Sequence, residues 1–216
     1  DEVRVLSRFR HPNLVTLLGW GQQKVDKYLV YELLTGGDVE KRLQRSRAGQ
    51  EPFTWQQRLR VALDAACGLS YMVNSQPKAF HRDIKPPNIL IDSNGSAKMA
   101  DFGLSATIKK QGQGHLTVDD ISGTPGYADP RYIQSGKVTE ASEIYSFGTV
   151  LLELLINERP ALAGPAGEII YPLVQIVQPA APGAFDRIVE RLDPNANWPR
   201  PLVDEVSRLA LKCIAG

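Results

Sequence analysis

The stretch HRDIKPPNIL, residues 81–90, gathers a carboxylate, an ammonium group and an amide within one short segment. These are Asp83, Lys85 and Asn88, and Asn88 lies five residues after Asp83. Thirteen positions further on comes DFG, Asp101 to Gly103. Such residue types suit transfer of a phosphoryl group to a hydroxyl. That reaction needs a carboxylate to take the hydroxyl proton, which Asp83 offers, and a cation near the transferring oxygens, which Lys85 offers. It also needs oxygen ligands for magnesium, for which Asn88 and Asp101 are the candidates. Gly103 would let the backbone bend tightly beside Asp101. Either triplet alone is a common turn or surface sequence. The two in this order, with a hairpin signal between them, form a far more specific combination.

Several elements must position these groups. Helical apolar spacing over residues 2–9 ends at Pro12. Residues 14–20 and 28–34 read as two strands joined by a polar hairpin connection. Asp38, after a Gly-Gly break, can cap a short helix reaching about Arg47. Thr54 and Gln57 form a capping box, and the helix behind it carries Leu59, Ala62, Leu63, Ala66 and Leu69 as its expected core stripe. Ser93-Asn94-Gly95 separates two short apolar runs and predicts a hairpin. Residues 105–126 are a long polar stretch of the kind that is usually functional or disordered. Residues 142–156 are apolar on nearly every side and predict a central buried helix. Prolines at 160, 165, 172, 179 and 182 break the segments that follow, and a last helix begins near Leu202. The order is a sliver of mixed helix and strand, then a mainly helical body, with a hinge near residues 33–38.

Composition excludes other functions. The formal net charge is +1 over 216 residues, with no basic block to suggest nucleic acid or a membrane surface. No apolar run is long enough to cross a bilayer. Three scattered histidines assemble no zinc spacing. Cys67 and Cys213 read as small buried apolar residues of a reducing compartment.

With HPNLVTLLGW, LVYELLTGGDVEKRL, WQQRLRVALDAACGLSYM, HRDIKPPNILID, ADFGLSA, GTPGYADP and YSFGTVLLELL in hand, the chain resembles a eukaryotic-type protein kinase domain over its whole length. It looks most like the tyrosine-kinase-like branch that includes plant receptor-like and interleukin-receptor-associated kinases. The resemblance implies an α+β, bilobal fold, with a partial N-lobe at residues 1–34 (one helix and two strands). Residues 35–216 would be most of a helical C-lobe, incomplete at its C-terminus, with ATP and Mg2+ bound between the lobes. It implies that Glu2 is the acid of the N-lobe helix that pairs with a strand lysine, and that Tyr31 is the gatekeeper. The backbone of Glu32 and Leu34 would hydrogen-bond adenine, Leu90 would pack beneath it, and Asp101 would hold the metal. Leu6, Leu17, His81 and Phe102 would stack as an apolar spine. Thr124 would touch Asp83 and Lys85, and Lys85 with Thr124 favours Ser or Thr as the acceptor in a protein substrate. Arg82 would bind a phosphate on the activation loop, with Thr117 and Ser122 as carriers. The domain would face the cytosol, or the cytoplasmic side of a membrane if the parent is receptor-like.

Three departures stand against the family pattern. Only Asp1 precedes Glu2, so no Gly-rich loop or strand lysine is seen. A chain beginning inside a helical pattern reads as a fragment, truncated at both ends and inactive alone. Its two strands would leave an open edge and an uncovered apolar face. Arg131 replaces the family's Glu and reverses the charge of its usual salt bridge. Glu143 replaces the Asp that anchors the catalytic loop, and its extra methylene can shift what it holds. Two readings follow: a serine/threonine protein kinase domain transferring the ATP γ-phosphate to protein hydroxyls, or a kinase-like scaffold that binds without catalysis.

Overall fold

A computed structural model of the chain describes residues 9–108, 114–177 and 183–215. Glu2 and Leu6 lie outside the described residues, as does most of the first expected helix. Strands β1 (Leu17–Gln23) and β2 (Asp26–Tyr31) form an antiparallel hairpin. Both are displaced from their expected positions. The turn is only Lys24 and Val25, with Lys24 in the left-handed region at φ 55°. Polar residues do not end these strands because the hairpin tip is exposed and its side chains meet water. Leu14, expected to begin the first strand, instead bridges to Met99. Leu18, Trp20, Tyr28 and Val30 of the hairpin are at least half exposed, and because Trp20 pairs with Leu29 and Val30 with Gly19, this apolar surface is spread over both faces.

Next come β3 (Gly37–Asp38) and α1 (Val39–Arg47). Asp38 caps α1 by accepting the N–H of Lys41 at 2.8 Å. Helix α2 (Trp55–Asn74) opens on its capping box, the Thr54 N–H donating to Gln57 Oε1 at 2.9 Å. Its buried stripe is Arg58, Val61, Ala62, Ala65, Gly68, Leu69 and Met72, rotated from the expected one. Leu63 is 63% exposed. Two positions that an apolar search passes over explain the rotation. Arg58 is wholly buried as an ion pair. Gly68 sits so close to Asn13 that a Cβ would lie 2.6 Å from the Asn13 carbonyl oxygen. Cys67 falls on the exposed side, so it is not the buried residue expected, and Cys213 is half-buried.

The site is carried by β4 (Ala79–Phe80), a 3-10 turn (Pro86–Asn88), β5 (Ile89–Ile91), β6 (Ala97–Met99) and β7 (Ala106–Thr107). Strands β3, β5 and β6 make one antiparallel sheet, and β4 pairs with β7. Asp92 closes the β5–β6 hairpin by accepting the N–H groups of Asn94 and Ser96. In the long polar stretch, β8 (His115–Thr117) pairs with β9 (Lys137–Thr139) across α3 (Pro130–Ser135). Helix α4 (Glu140–Ile156) is buried along most of its length, as its composition predicts. The hairpin β10 (Leu162–Ala163) and β11 (Ile169–Ile170) follows. Helices α5 (Pro172–Val177), α6 (Ala184–Glu190) and α7 (Arg200–Ala215) complete the described chain, with α7 packed along α4.

Two buried polar networks pin the helical body. Arg58 donates to the carbonyls of Phe53 and Leu154 at 2.8 and 2.9 Å and pairs with Asp193. Asn157, the left-handed cap of α4 at φ 60°, donates to Asp193 and to the Leu43 carbonyl. The second network joins Glu153 of α4 to the hydroxyl of Tyr127. Burial pushes the Glu153 carboxyl up to about 7, the Tyr127 hydrogen bond opposing that shift only in part.

Each network yields an expected outcome. Asp193→Ala strands a buried guanidinium and should lower unfolding free energy in urea by about 3–5 kcal/mol, whereas Arg58→Met with Asp193→Leu should recover much of it. For Glu153 the folded-state value lies above the ordinary 4.5, so the native state holds the proton more tightly than the unfolded one. Its contribution to stability falls as pH rises from about 4.5 to about 7 and is flat above. Glu153→Gln keeps an acceptor for Tyr127 and removes the titration. Its stability should therefore improve relative to the parent between pH 5 and 8, by about 1–3 kcal/mol. A constant difference across that range would contradict the burial of this carboxyl.

Candidate active site

The loop that follows β4 is held by α4. Glu143 accepts the backbone N–H groups of His81 at 2.6 Å and Arg82 at 2.9 Å. Arg82 needs such a hold, because its φ is 71° and a left-handed backbone at a side-chain-bearing residue costs about 1–2 kcal/mol. Burial raises the Glu143 carboxyl to about 7, and the two N–H donors pull the other way. The extra methylene of Glu at this position therefore still permits a two-handed grip. His81 is fully buried, and burial lowers its pKa, keeping the ring neutral. Its Nε2 lies 3.0 Å from the Ala100 carbonyl, which can only accept, so Nε2 carries the proton. Nδ1 then accepts the Asp83 N–H at 3.3 Å. The His81 ring lies 5.0 Å from that of Phe102, which is wholly buried. Leu17 packs against the same core.

Three predicted residues meet at the carboxylate of a fourth, Asp83. Lys85 Nζ is 2.7 Å from Asp83 Oδ2 and 2.9 Å from Thr124 Oγ1. Thr124 donates to Asp83 Oδ1 at 2.7 Å. Asn88 Nδ2 donates to the Asp83 carbonyl at 2.8 Å and to Oδ2 at 3.0 Å. Burial alone would raise the Asp83 carboxyl, but the bonds from Lys85, Thr124 and Asn88 outweigh it and hold the group below its ordinary value. Both Asn88 contacts use its amide nitrogen, which leaves the side-chain oxygen to face a cation. The backbone ties this loop to the next motif: the Ala100 N–H donates to the Asn88 carbonyl at 2.9 Å.

Asp101 is exposed and Phe102 is buried, so the two side chains part in opposite directions. Asp101 itself takes a left-handed backbone, φ 60°, and Gly103 lies in the turn that follows, closed by the Ser105 N–H donating to the Phe102 carbonyl at 3.0 Å. The smallness of Gly103 also leaves room: a Cβ there would lie 3.3 Å from Asp101 Oδ1, an atom that accepts the Gly103 N–H at the same distance. No group of three or more His, Cys, Asp or Glu able to hold a metal occurs among the described residues. Asn88 and Asp101 suit a magnesium ion that takes its remaining ligands from water and phosphate.

Tyr31 closes β2 and, with Leu34 and Leu90, packs half-buried against the core. The Glu32 N–H is used by the Thr16 carbonyl at 3.1 Å, so its own carbonyl is what it can offer a ligand. Arg82 reaches the activation-loop region, donating to the carbonyls of Leu104 at 3.0 Å and Asp120 at 3.3 Å and to the Tyr132 hydroxyl at 3.0 Å. Tyr132 in turn exchanges hydrogen bonds with both backbone groups of Ser122, at 3.1 and 2.9 Å. Ser122 is therefore one residue removed from Arg82, while Thr117 lies on β8, exposed and opposite Lys137. Arg131 makes a forked pair with buried Asp129, Nε to Oδ1 at 3.1 Å and Nη2 to Oδ2 at 2.9 Å, a local substitute for a distant partner.

Tyr132 and Glu153 were not among the residues singled out from sequence. A lone acid inside the apolar run GTVLLELLI was the available signal for Glu153. Tyr132 offered none, since its role depends on where α3 folds.

The family model described as protein kinase domain matches residues 1–214. The chain is 38% identical to the probable serine/threonine-protein kinase PBL11 of Arabidopsis thaliana, over 99% of this chain and 55% of that one. It is 38% identical to PBL10 of the same plant, over 99% and 52%. With the probable LRR receptor-like serine/threonine-protein kinase PAM74, also from Arabidopsis thaliana, identity is 44% over 73% of this chain and 18% of that one. The chain thus spans about half the length of the PBL relatives, and less of the receptor-like one. A family match along nearly all of its residues, on top of the Asp83–Asn88–Asp101 geometry, makes this chain a member of the protein kinase domain family.

Proposed function

We propose that the protein to which this chain belongs transfers the γ-phosphate of ATP to Ser or Thr hydroxyls of protein substrates, with Asp83 at the centre of the reaction. The observation that carries the reading is the closed set of contacts around Asp83, made by Lys85, Thr124 and Asn88.

Asp83 is ionised at neutral pH and its carboxylate is aimed by three donors. It orients the acceptor hydroxyl and takes its proton as the hydroxyl oxygen bonds the γ-phosphorus and the bond from that phosphorus to the β,γ-bridging oxygen breaks, with ADP as the leaving group. The transition state is loose, so positioning matters more than basicity, and a carboxylate held below its ordinary value suffices. Lys85 places positive charge beside the transferring oxygens. Thr124 orients both. The Asn88 side-chain oxygen and the Asp101 carboxylate are the groups that would hold magnesium, whose chemistry is to neutralise phosphate charge. Adenine would lie between the Glu32–Leu34 backbone and the Leu90 side chain, beyond Tyr31. Arg82 would pair with a phosphate on the activation loop, for which Ser122 is the better placed carrier. Residues 1–34 and 35–216 then serve as parts of the two lobes. Among the described residues no helix is long and apolar enough to cross a membrane. We place the domain on the cytoplasmic side, where ATP and magnesium are.

A non-catalytic scaffold is the weaker reading. Its motives were Arg131 and Glu143, and each has a working partner: Asp129 for the one, the loop N–H groups for the other.

Asp83→Asn, assayed in the whole protein with radiolabelled ATP and a Ser/Thr peptide, should lower turnover by about 10²–10⁴-fold and leave nucleotide affinity within about twofold. Turnover at the parent's rate would remove Asp83 from the chemistry.

A further inference from the structure

Lys98 lies on β6 directly opposite Leu90 on β5, three residues before Asp101. Its Nζ is 2.8 and 2.9 Å from the two carboxylate oxygens of Glu32. The same carboxylate accepts the Thr16 N–H at 2.7 Å. Residues 13–16 run along β6 as well: the Val15 N–H donates to Met99, the Met99 N–H to Asn13, and the Asn13 amide to Ala97, each at 2.9 Å. The side chain of Glu32 is thus drawn away from any ligand and fastened to the strand pair below. The two side chains are only 17% and 26% exposed, and the carboxylate has a third donor in Thr16, so this is more than an open surface pair. Burial would raise the Glu32 carboxyl, yet the Lys98 and Thr16 bonds outweigh it and keep the group charged at neutral pH.

From this geometry we infer that Lys98 is a positioning residue for a purine nucleotide. By clamping Glu32 it fixes the hinge backbone relative to the Leu90 floor and so sets the width of the slot between them. The inference deepens the nucleotide reading above and rests on it. Lys98 touches neither the ligand nor the reacting atoms in this account. Without the clamp the slot samples wider openings, so a flat ring is held less tightly while the groups around Asp83 stay in place. A fixed slot is an ordering cost met before the ligand arrives.

The test is titration of the whole protein with fluorescently labelled ADP in the presence of magnesium, together with ATP kinetics. Lys98→Met should weaken binding by about tenfold and raise the KM for ATP in step, with kcat falling far less. Lys98→Arg should restore affinity to within about twofold of the parent. Amide exchange should quicken at residues 32–34 and stay slow in β5 and β6. Unchanged affinity in Lys98→Met, with the parent binding normally, overturns the positioning role and leaves the nucleotide reading intact. Lost affinity with fast exchange spread through β5 and β6 makes Lys98 a structural residue and also overturns it. A parent that does not bind labelled ADP overturns both.

Discussion

The grip of one buried carboxylate on two backbone amides governs this site. Glu143 sits near the start of α4 and takes the N–H groups of His81 and Arg82. That contact pins a loop whose Arg82 backbone is in a disfavoured region. Three of the candidate site residues follow within a few positions: Asp83 next, then Lys85, then Asn88 at the end of a short 3-10 turn. The cost of the arrangement is a buried carboxylate: burial raises its pKa to about 7 against the pull of the two N–H donors and the Arg82 charge. A helix buried on nearly every side is the right place to anchor such a group, because its own backbone cannot yield.

The same helix holds the opposite wall. Glu153 takes the Tyr127 hydroxyl, and Ser146 donates to the Tyr127 carbonyl at 2.8 Å. The Tyr127 N–H closes a turn onto the Thr124 carbonyl at 3.1 Å, and Thr124 reaches Asp83. Helix α4 is therefore a common ruler for the loop that bears Asp83 and the loop that bears Thr124. A pair of elements far apart in sequence acquires a distance set by one rigid body, which is what a positioning-dominated reaction requires.

Much of the site was legible in the sequence because its residues are close together there. Asp83, Lys85 and Asn88 share one loop, and the Asp92 hairpin delivers Asp101 by a connection with a strong turn signal. Glu143 was legible only through family resemblance, since a lone acid at a helix start has many ordinary uses. Contacts such as Tyr132 with Ser122, or Lys98 with Glu32, arise where separate elements meet and leave no local periodicity. The differences between the fold and the sequence pattern have the same source. The core stripe of α2 is rotated from its apolar spacing because Arg58 and Gly68 occupy core positions, one by pairing its charge and the other by having no side chain. The strands of the first hairpin run through polar residues because exposure, not polarity, decides where a two-stranded ribbon ends.

The most direct test of the account is turnover by Glu143→Ala and Glu143→Asp in the whole protein, with labelled-ADP affinity measured alongside. If the loop depends on this grip, Glu143→Ala loses turnover by about 10²-fold or more while nucleotide affinity holds, and Glu143→Asp, which keeps the charge, retains most of it. Full turnover in Glu143→Ala, with the protein folded, would show that the loop holds itself and that the central claim is wrong.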